Sequence, residues 1–114
     1  MEKAKSFEDL WIWQRAKILV KDIYSDFKEG ASGCRDYGFR EQIQKAGISI
    51  MNNIAEGFER STDKVFTRFL DISKGSCREV RSMFYSAEDL YYVPIEVAVQ
   101  SRNKAKQISA VLHH

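Results

Sequence analysis

Apolar residues in this chain recur at three- and four-residue steps in four blocks. The intervals between the blocks hold most of the glycines and the single proline. That periodicity belongs to helices with one buried face, and no strand-like alternation competes with it. The first block predicts a helix over about 7–29, with Ser6 as cap and Asp9 answering three residues later. Its apolar face is Trp13, Ala16, Val20, Ile23, Tyr24 and Phe27. "GASGCRDYG" reads as a loop. The second helix is predicted over about 37–59, with Phe39, Ile43, Ala46, Ile50 and Ile54 on one face. Thr62 caps a third over about 62–91, whose face runs Phe66, Phe69, Leu70, Ser73, Cys77, Val80, Phe84, Ala87 and Tyr91. Pro94 suits the first turn of a fourth, over about 94–112, with Ala98, Ala105, Ile108 and Leu112 inward. Four helices with short connections predict an all-α, antiparallel up-down-up-down four-helix bundle, a single domain over residues 1–114.

Two helices carry apolar residues beyond that single stripe. Trp11 and Ile18 share a side of the first helix away from Val20. Ile48, Met51 and Ala55 form a row on the second, read as roughly opposite Ile43 and Ile50. A monomer would leave these five in water, so they are the expected oligomer interface, most simply between copies of this chain.

Charge adds a second surface. The net charge is only +2, which by itself does not require an anionic partner. Its distribution matters more. Arg60, Lys64, Arg68, Lys74, Arg78 and Arg81 fall within about a third of the third helix's circumference, opposite the Phe66–Val80 face. Asp71 and Asp89 share the sector and dilute it. The bland alternative is a solvated face with Asp71 bridged to neighbouring bases. Repeated by closed symmetry, the same stripe becomes a field able to hold phosphates. The aromatics are read as lying on the other side, which favours contact with a phosphate backbone over base stacking.

Candidate chemistry is sparse. The chain length suits one core, and no apolar run approaches the ~20 residues a membrane span needs. Nor does the start resemble a signal peptide, so the expected compartment is the cytoplasm. Cys34 and Cys77 are expected to be free thiols. His113 and His114 are the only histidines and receive no metal role. There is no Cys/His cluster, phosphate-cradling glycine loop or nucleophile–base pair. Glu56 beside Glu79 or Asp89 is better read as an ion-pairing carboxylate than as half of an acid–base pair. No enzyme and no cofactor are expected. In "NNIAEGFER", Asn53, Glu56 and Arg60 fall on one flank, with Glu56 and Arg60 in the favourable i,i+4 order. Gly57 either faces the core or closes the helix. The expected role of the motif is structural, pinning the turn into the third helix, with Arg60 also joining the basic stripe.

"SIMNNIAEGFER" followed by "FTRFLDISKGSCREVRSMFYSAEDLYYV", after the opening "FEDLWIWQRAKILVKDIY", resembles the bacterial four-helix-bundle family encoded by intervening sequences within 23S rRNA genes. The likeness covers roughly residues 6–95. It implies an up-down-up-down bundle assembled as a ring-like homopentamer, with an RNA or ribosome association supposed from genomic context. It extends to the accessory protein of diversity-generating retroelements, a similar pentamer whose partners are a reverse transcriptase and nucleic acid. It implies no enzymatic activity, and the lack of a long apolar run leads to the expectation of no membrane partner. The family often has proline where Met51 stands and glutamate where Val65 stands, and the fourth helix matches poorly. The resulting expectation is an RNA- or ribonucleoprotein-associated oligomer. The alternative is a protein-interaction scaffold or accessory subunit that never touches nucleic acid.

Overall fold

A computed structural model of the chain describes residues 4–60 and 63–112, the side chain of Asp63 excepted. Four α-helices pack around one core: α1 (Trp11–Asp26), α2 (Tyr37–Glu59), α3 (Asp63–Asp89) and α4 (Ile95–Val111). A single 3-10 turn over Phe7–Asp9 precedes them, and there is no strand among the described residues. Each helix touches its two chain neighbours, and α4 closes the ring on α1. The longest dimension, 43 Å, is close to the ~40 Å that the longest helix spans at 1.5 Å per residue.

The first helix starts later than the capping pattern predicts. Ser6 makes no side-chain cap. Asp9 instead accepts from the backbone N–H of Lys5 at 3.1 Å, and Gln14 Nε2 donates to the carbonyl of Glu8 at 2.8 Å. Leu10, in extended conformation, then separates the turn from α1. The buried face of α1 is Ala16, Leu19 and Ile23, with Phe27 just beyond its end. Leu19 replaces Tyr24, which is exposed, because the face is centred one residue away from the predicted stripe. On α2, Asp36 accepts from the N–H of Phe39 at 3.2 Å and caps the helix. Ile43, Ala46, Ile50 and Ile54 are all buried there. Pro94 is the residue before α4 rather than within its first turn, and its carbonyl accepts from Ala98 N–H. The inward set of Ala98, Ala105, Ile108 and Leu112 is buried as predicted. Thr62, the predicted cap of α3, lies outside the described residues.

The end of α3 departs most from the pattern. Tyr91, placed on the core face by periodicity, is 85% exposed. The helix stops at Asp89, and Tyr91 adopts φ +60°, the left-handed conformation that turns the chain away. Tyr92, half-buried, packs against the core instead. Its N–H reaches the carbonyl of Ala87, and its ring meets Phe39 and Phe27 edge-on at 5.4 and 6.4 Å. The Tyr92 hydroxyl donates to Asp36 at 2.6 Å, a bond that, with burial, raises its pKa. Gly33 lies beneath this cluster. A Cβ there would stand 2.7 Å from Tyr92 Cγ and 2.9 Å from Phe27, so only glycine lets the α1–α2 loop approach so closely.

Between α2 and α3 a ladder of hydroxyls replaces part of the apolar contact. Buried Ser73 donates to the carbonyl of Ile50 at 3.0 Å, and Ser76 donates to Ser49 at 2.8 Å. Cys77 lies in the same seam. Burial pushes its thiol up to about 12, with Arg78 and Arg81 pulling weakly the other way. Both cysteines are free.

Candidate nucleic-acid interface

The outward side of α3 follows from its inward side. At ~100° per residue, the buried run from Leu70 to Ala87 leaves Lys64, Arg68, Arg78 and their neighbours facing away. Lys64, Arg68 and Arg78 are exposed, whereas Lys74 and Arg81 are half-buried. These last two lie on the flank toward α4, where Glu88 meets Arg102 at 3.2 Å. Long basic side chains lie along such a flank with the charged end outward.

None of Lys64, Arg68, Lys74, Arg78 and Arg81 has a carboxylate oxygen within 4 Å among the described residues. Asp71 shares the sector and forms no such bridge among the described residues. The Asp71 bridge of the bland alternative is therefore missing among the described residues, while Lys64, Arg68, Asp71 and Arg78 stand solvated. A shallow groove of about 560 Å³ runs along Lys64, Val65, Arg68, Asp71 and Ile72, so apolar surface accompanies the bases at this end.

Arg60 departs from the predicted stripe. It follows the last residue of α2 in extended backbone and is no part of α3. Its guanidinium lies 3.3 Å from Glu56 and 5.5 Å from the centroid of Phe69. Among the described residues it is the one predicted stripe residue with a carboxylate partner. The reading of the sector as free of aromatics also fails. Tyr85 falls between Arg78 and Arg81 around the helix and is 56% exposed. One face of its ring is taken by Arg102 from α4, 3.9 Å from the centroid. The helical angle of Tyr85 was legible in the sequence. Arg102 was not, because it depends on how α4 is rotated against α3.

The "NNIAEGFER" residues divide their labour. Gly57 is buried within α2, and a Cβ there would stand 3.0 Å from both Phe66 Cδ1 and Phe69 Cβ. It marks the close approach of α2 to α3 and is not the helix cap, since α2 continues to Glu59. Glu56 and Arg60 pair across the helix end as expected. Asn53 does not join them. Its amide donates back to the carbonyl and hydroxyl of Ser49, at 2.8 and 3.1 Å, and so supports the seam with Ser76.

A family model for 23S rRNA-intervening sequence proteins matches residues 8–114, the whole bundle. The chain belongs to that family. Among solved structures it is similar to a protein of unknown function from the S23 ribosomal protein family of Bacteroides thetaiotaomicron VPI-5482. The TM-score is 0.77 at 18% identity, covering 89% of this chain and 94% of the other. At that identity the likeness is one of fold. No curated protein matches. The family match includes α4, the segment that the sequence patterns matched poorly.

The five residues expected at an interface of this intervening-sequence protein divide into two groups. Trp11 and Ile18 are 50% and 43% exposed, as expected. Ile48, Met51 and Ala55 are half-buried in the single chain, and Met51 packs against the core. At ~100° per residue Ile48 and Ala55 lie roughly opposite the Ile43–Ile50 stripe, as expected, whereas Met51 stands about a quarter-turn from it. Exposed Ile72, on the stripe side of α3, is a further apolar residue left in water. Among the described residues no group of three or more His, Cys, Asp and Glu side chains could hold a metal. Among the same residues no helix is long and apolar enough to cross a membrane.

Proposed function

We propose that this intervening-sequence protein is a non-enzymatic, cytosolic homo-oligomer that contacts the phosphate backbone of RNA or a ribonucleoprotein through the outward side of α3. The observation that carries the reading is the row of Lys64, Arg68, Lys74, Arg78 and Arg81, without carboxylate partners among the described residues, on the longest helix of the bundle. Cations left unpaired over several turns suit a polyanion, since each phosphate neutralised releases counterions and adds affinity. The oligomer would be closed, with copies meeting at Trp11 and Ile18, and would repeat the row around its axis. The bundle would run up-down-up-down. Ile50 meets Ser73 while Gln42 meets Glu79, the order expected of antiparallel neighbours.

Specificity would be slight. Arginines and lysines on phosphates position a complex without reading bases, and Arg102 already covers one face of Tyr85. The second reading, a scaffold for a protein partner, draws on Val65 and Ile72 in the groove beside Arg68. Replacing Arg68, Arg78 and Arg81 together by glutamine separates the two. Charge is lost while helix propensity stays nearly level. Binding to a structured RNA, followed by fluorescence anisotropy, should fall for all sequences alike. Unchanged binding by the triple variant would reject the α3 surface, and absence of wild-type binding at low salt would leave the scaffold reading.

A further inference from the structure

Away from the α3 surface, at the end of the bundle where Tyr92 packs, the α1–α2 loop and the first turn of α2 border a half-open pocket of about 630 Å³. Glu29, Ser32, Cys34, Arg35, Tyr37 and Arg40 line it. Its wall is held in place. Cys34 N–H donates to Ala31 and Asp36 N–H to Gly33, at 3.1 and 3.2 Å. Gly33 is wedged under Tyr92 and Phe27, and Arg40 Nη1 donates to the carbonyl of Cys34 at 3.4 Å.

Neither Arg35 nor Arg40 has a carboxylate within 4 Å among the described residues, although Glu29 lines the same pocket. Two guanidiniums against one carboxylate leave the pocket cationic. Tyr37 is 70% exposed, and its ring meets no other ring or cation among the described residues. The volume is in the range of small-molecule sites and far exceeds a bare phosphate. Guanidiniums favour the planar, bidentate geometry of phosphate oxygens, and an unpartnered phenol ring is a stacking platform for a base.

We propose that this pocket binds a nucleoside monophosphate group. Arg35 and Arg40 hold the phosphate monoester, Tyr37 stacks on the base, and Glu29 or Ser32 accepts from a ribose hydroxyl or base amino group. The same chemistry occurs in a free nucleotide and in the 5′-phosphorylated end of an RNA. The site shares no residue with the α3 row, so either can fail without the other.

Calorimetric titration of the full chain with AMP, adenosine and inorganic phosphate tests it. AMP should bind, with adenosine and phosphate each about tenfold weaker or more. Arg35→Gln should weaken AMP by about the same factor and leave adenosine unchanged. Arg35 is exposed and forms no ion pair among the described residues, so helix content should not move. Tyr37→Ala should weaken AMP and adenosine but not phosphate. The Arg68/Arg78/Arg81 glutamine variant should bind AMP like wild type. No AMP binding at millimolar concentration, or wild-type affinity in both single variants, would overturn the proposal. Competition by a 5′-phosphorylated oligoribonucleotide, but not by its 5′-hydroxyl counterpart, would identify an RNA end as the source. Competition by neither would identify the free nucleotide. Equal competition by both would assign the pocket to internal phosphodiesters and overturn the monophosphate assignment.

Discussion

Asp26, in the last turn of α1, has one carboxylate oxygen buried without a hydrogen-bond partner. Burial, then the nearby Asp22 carboxylate, push its pKa up to about 6, with Lys104 opposing in part. Lys104 is already engaged with Asp22. The folded pKa is raised above an unfolded value near ~4, so ionised Asp26 weighs against the fold. Its penalty is absent below about pH 4 and grows as pH rises through the folded value, so stability declines across that window. Asp26→Asn removes the titration. Urea denaturation at pH 4, 5.5 and 7 should show a flatter profile for the variant, and a relative gain at pH 7 of about 1–2 kcal/mol over pH 4, less than the ~3 kcal/mol of the full shift because solvent screens the partly exposed carboxyl. An unchanged slope would assign the pH dependence elsewhere. Nothing in the sequence marked Asp26, because its solvation depends on α4 closing over α1.

On the scale of elements, periodicity served best where a helix has two firm neighbours. The α2 face and the middle of α3, from Leu70 to Ala87, are buried as their spacing required. It failed at helix ends, where a stop signal competes with the pattern. Tyr91 continues the stripe in sequence, but the helix has ended, and Tyr92 finds the core from a different backbone conformation. The late start of α1 has a similar origin, since Asp9 bonds the backbone of Lys5 in place of a capping box. The core face of α3 also divides energetically. Phe84 is fully buried, whereas Phe69 is half-buried near the guanidinium of Arg60. Phe84→Ala should cost about 3–5 kcal/mol in urea denaturation. Phe69→Ala should cost clearly less, because part of its surface already meets water. Equal losses would mean that the end of α3 packs more tightly than its exposure indicates.

At the scale of the whole molecule, what stays in water decides function. Trp11, Ile18 and the α3 bases were legible as unspent surface because their spacing conflicts with a single buried face. Met51 packs against the core because it stands about a quarter-turn from the Ile50 stripe on a helix that meets both α1 and α3. Arg102 and the Arg35–Arg40 pocket were beyond the sequence, since each requires segments distant along the chain or a folded loop. Assembly is best probed at Ile18, which is exposed and outside the core. Ile18→Glu should keep helix content and lower the mass found by light scattering at micromolar concentration. A wild-type monomer, or an unaltered assembly in the variant, would contradict the interface.

The central claim is that unpaired cations on α3 meet phosphates. The salt dependence of wild-type binding to a duplex RNA tests it most directly. If the row engages phosphates, the logarithm of the affinity should fall linearly with the logarithm of salt, by about 0.9 for each duplex phosphate neutralised. Several contacts per subunit predict a steep line, and the Arg68/Arg78/Arg81 glutamine variant should give a shallower one. Binding that is flat with salt, or no binding at low salt, would contradict the account.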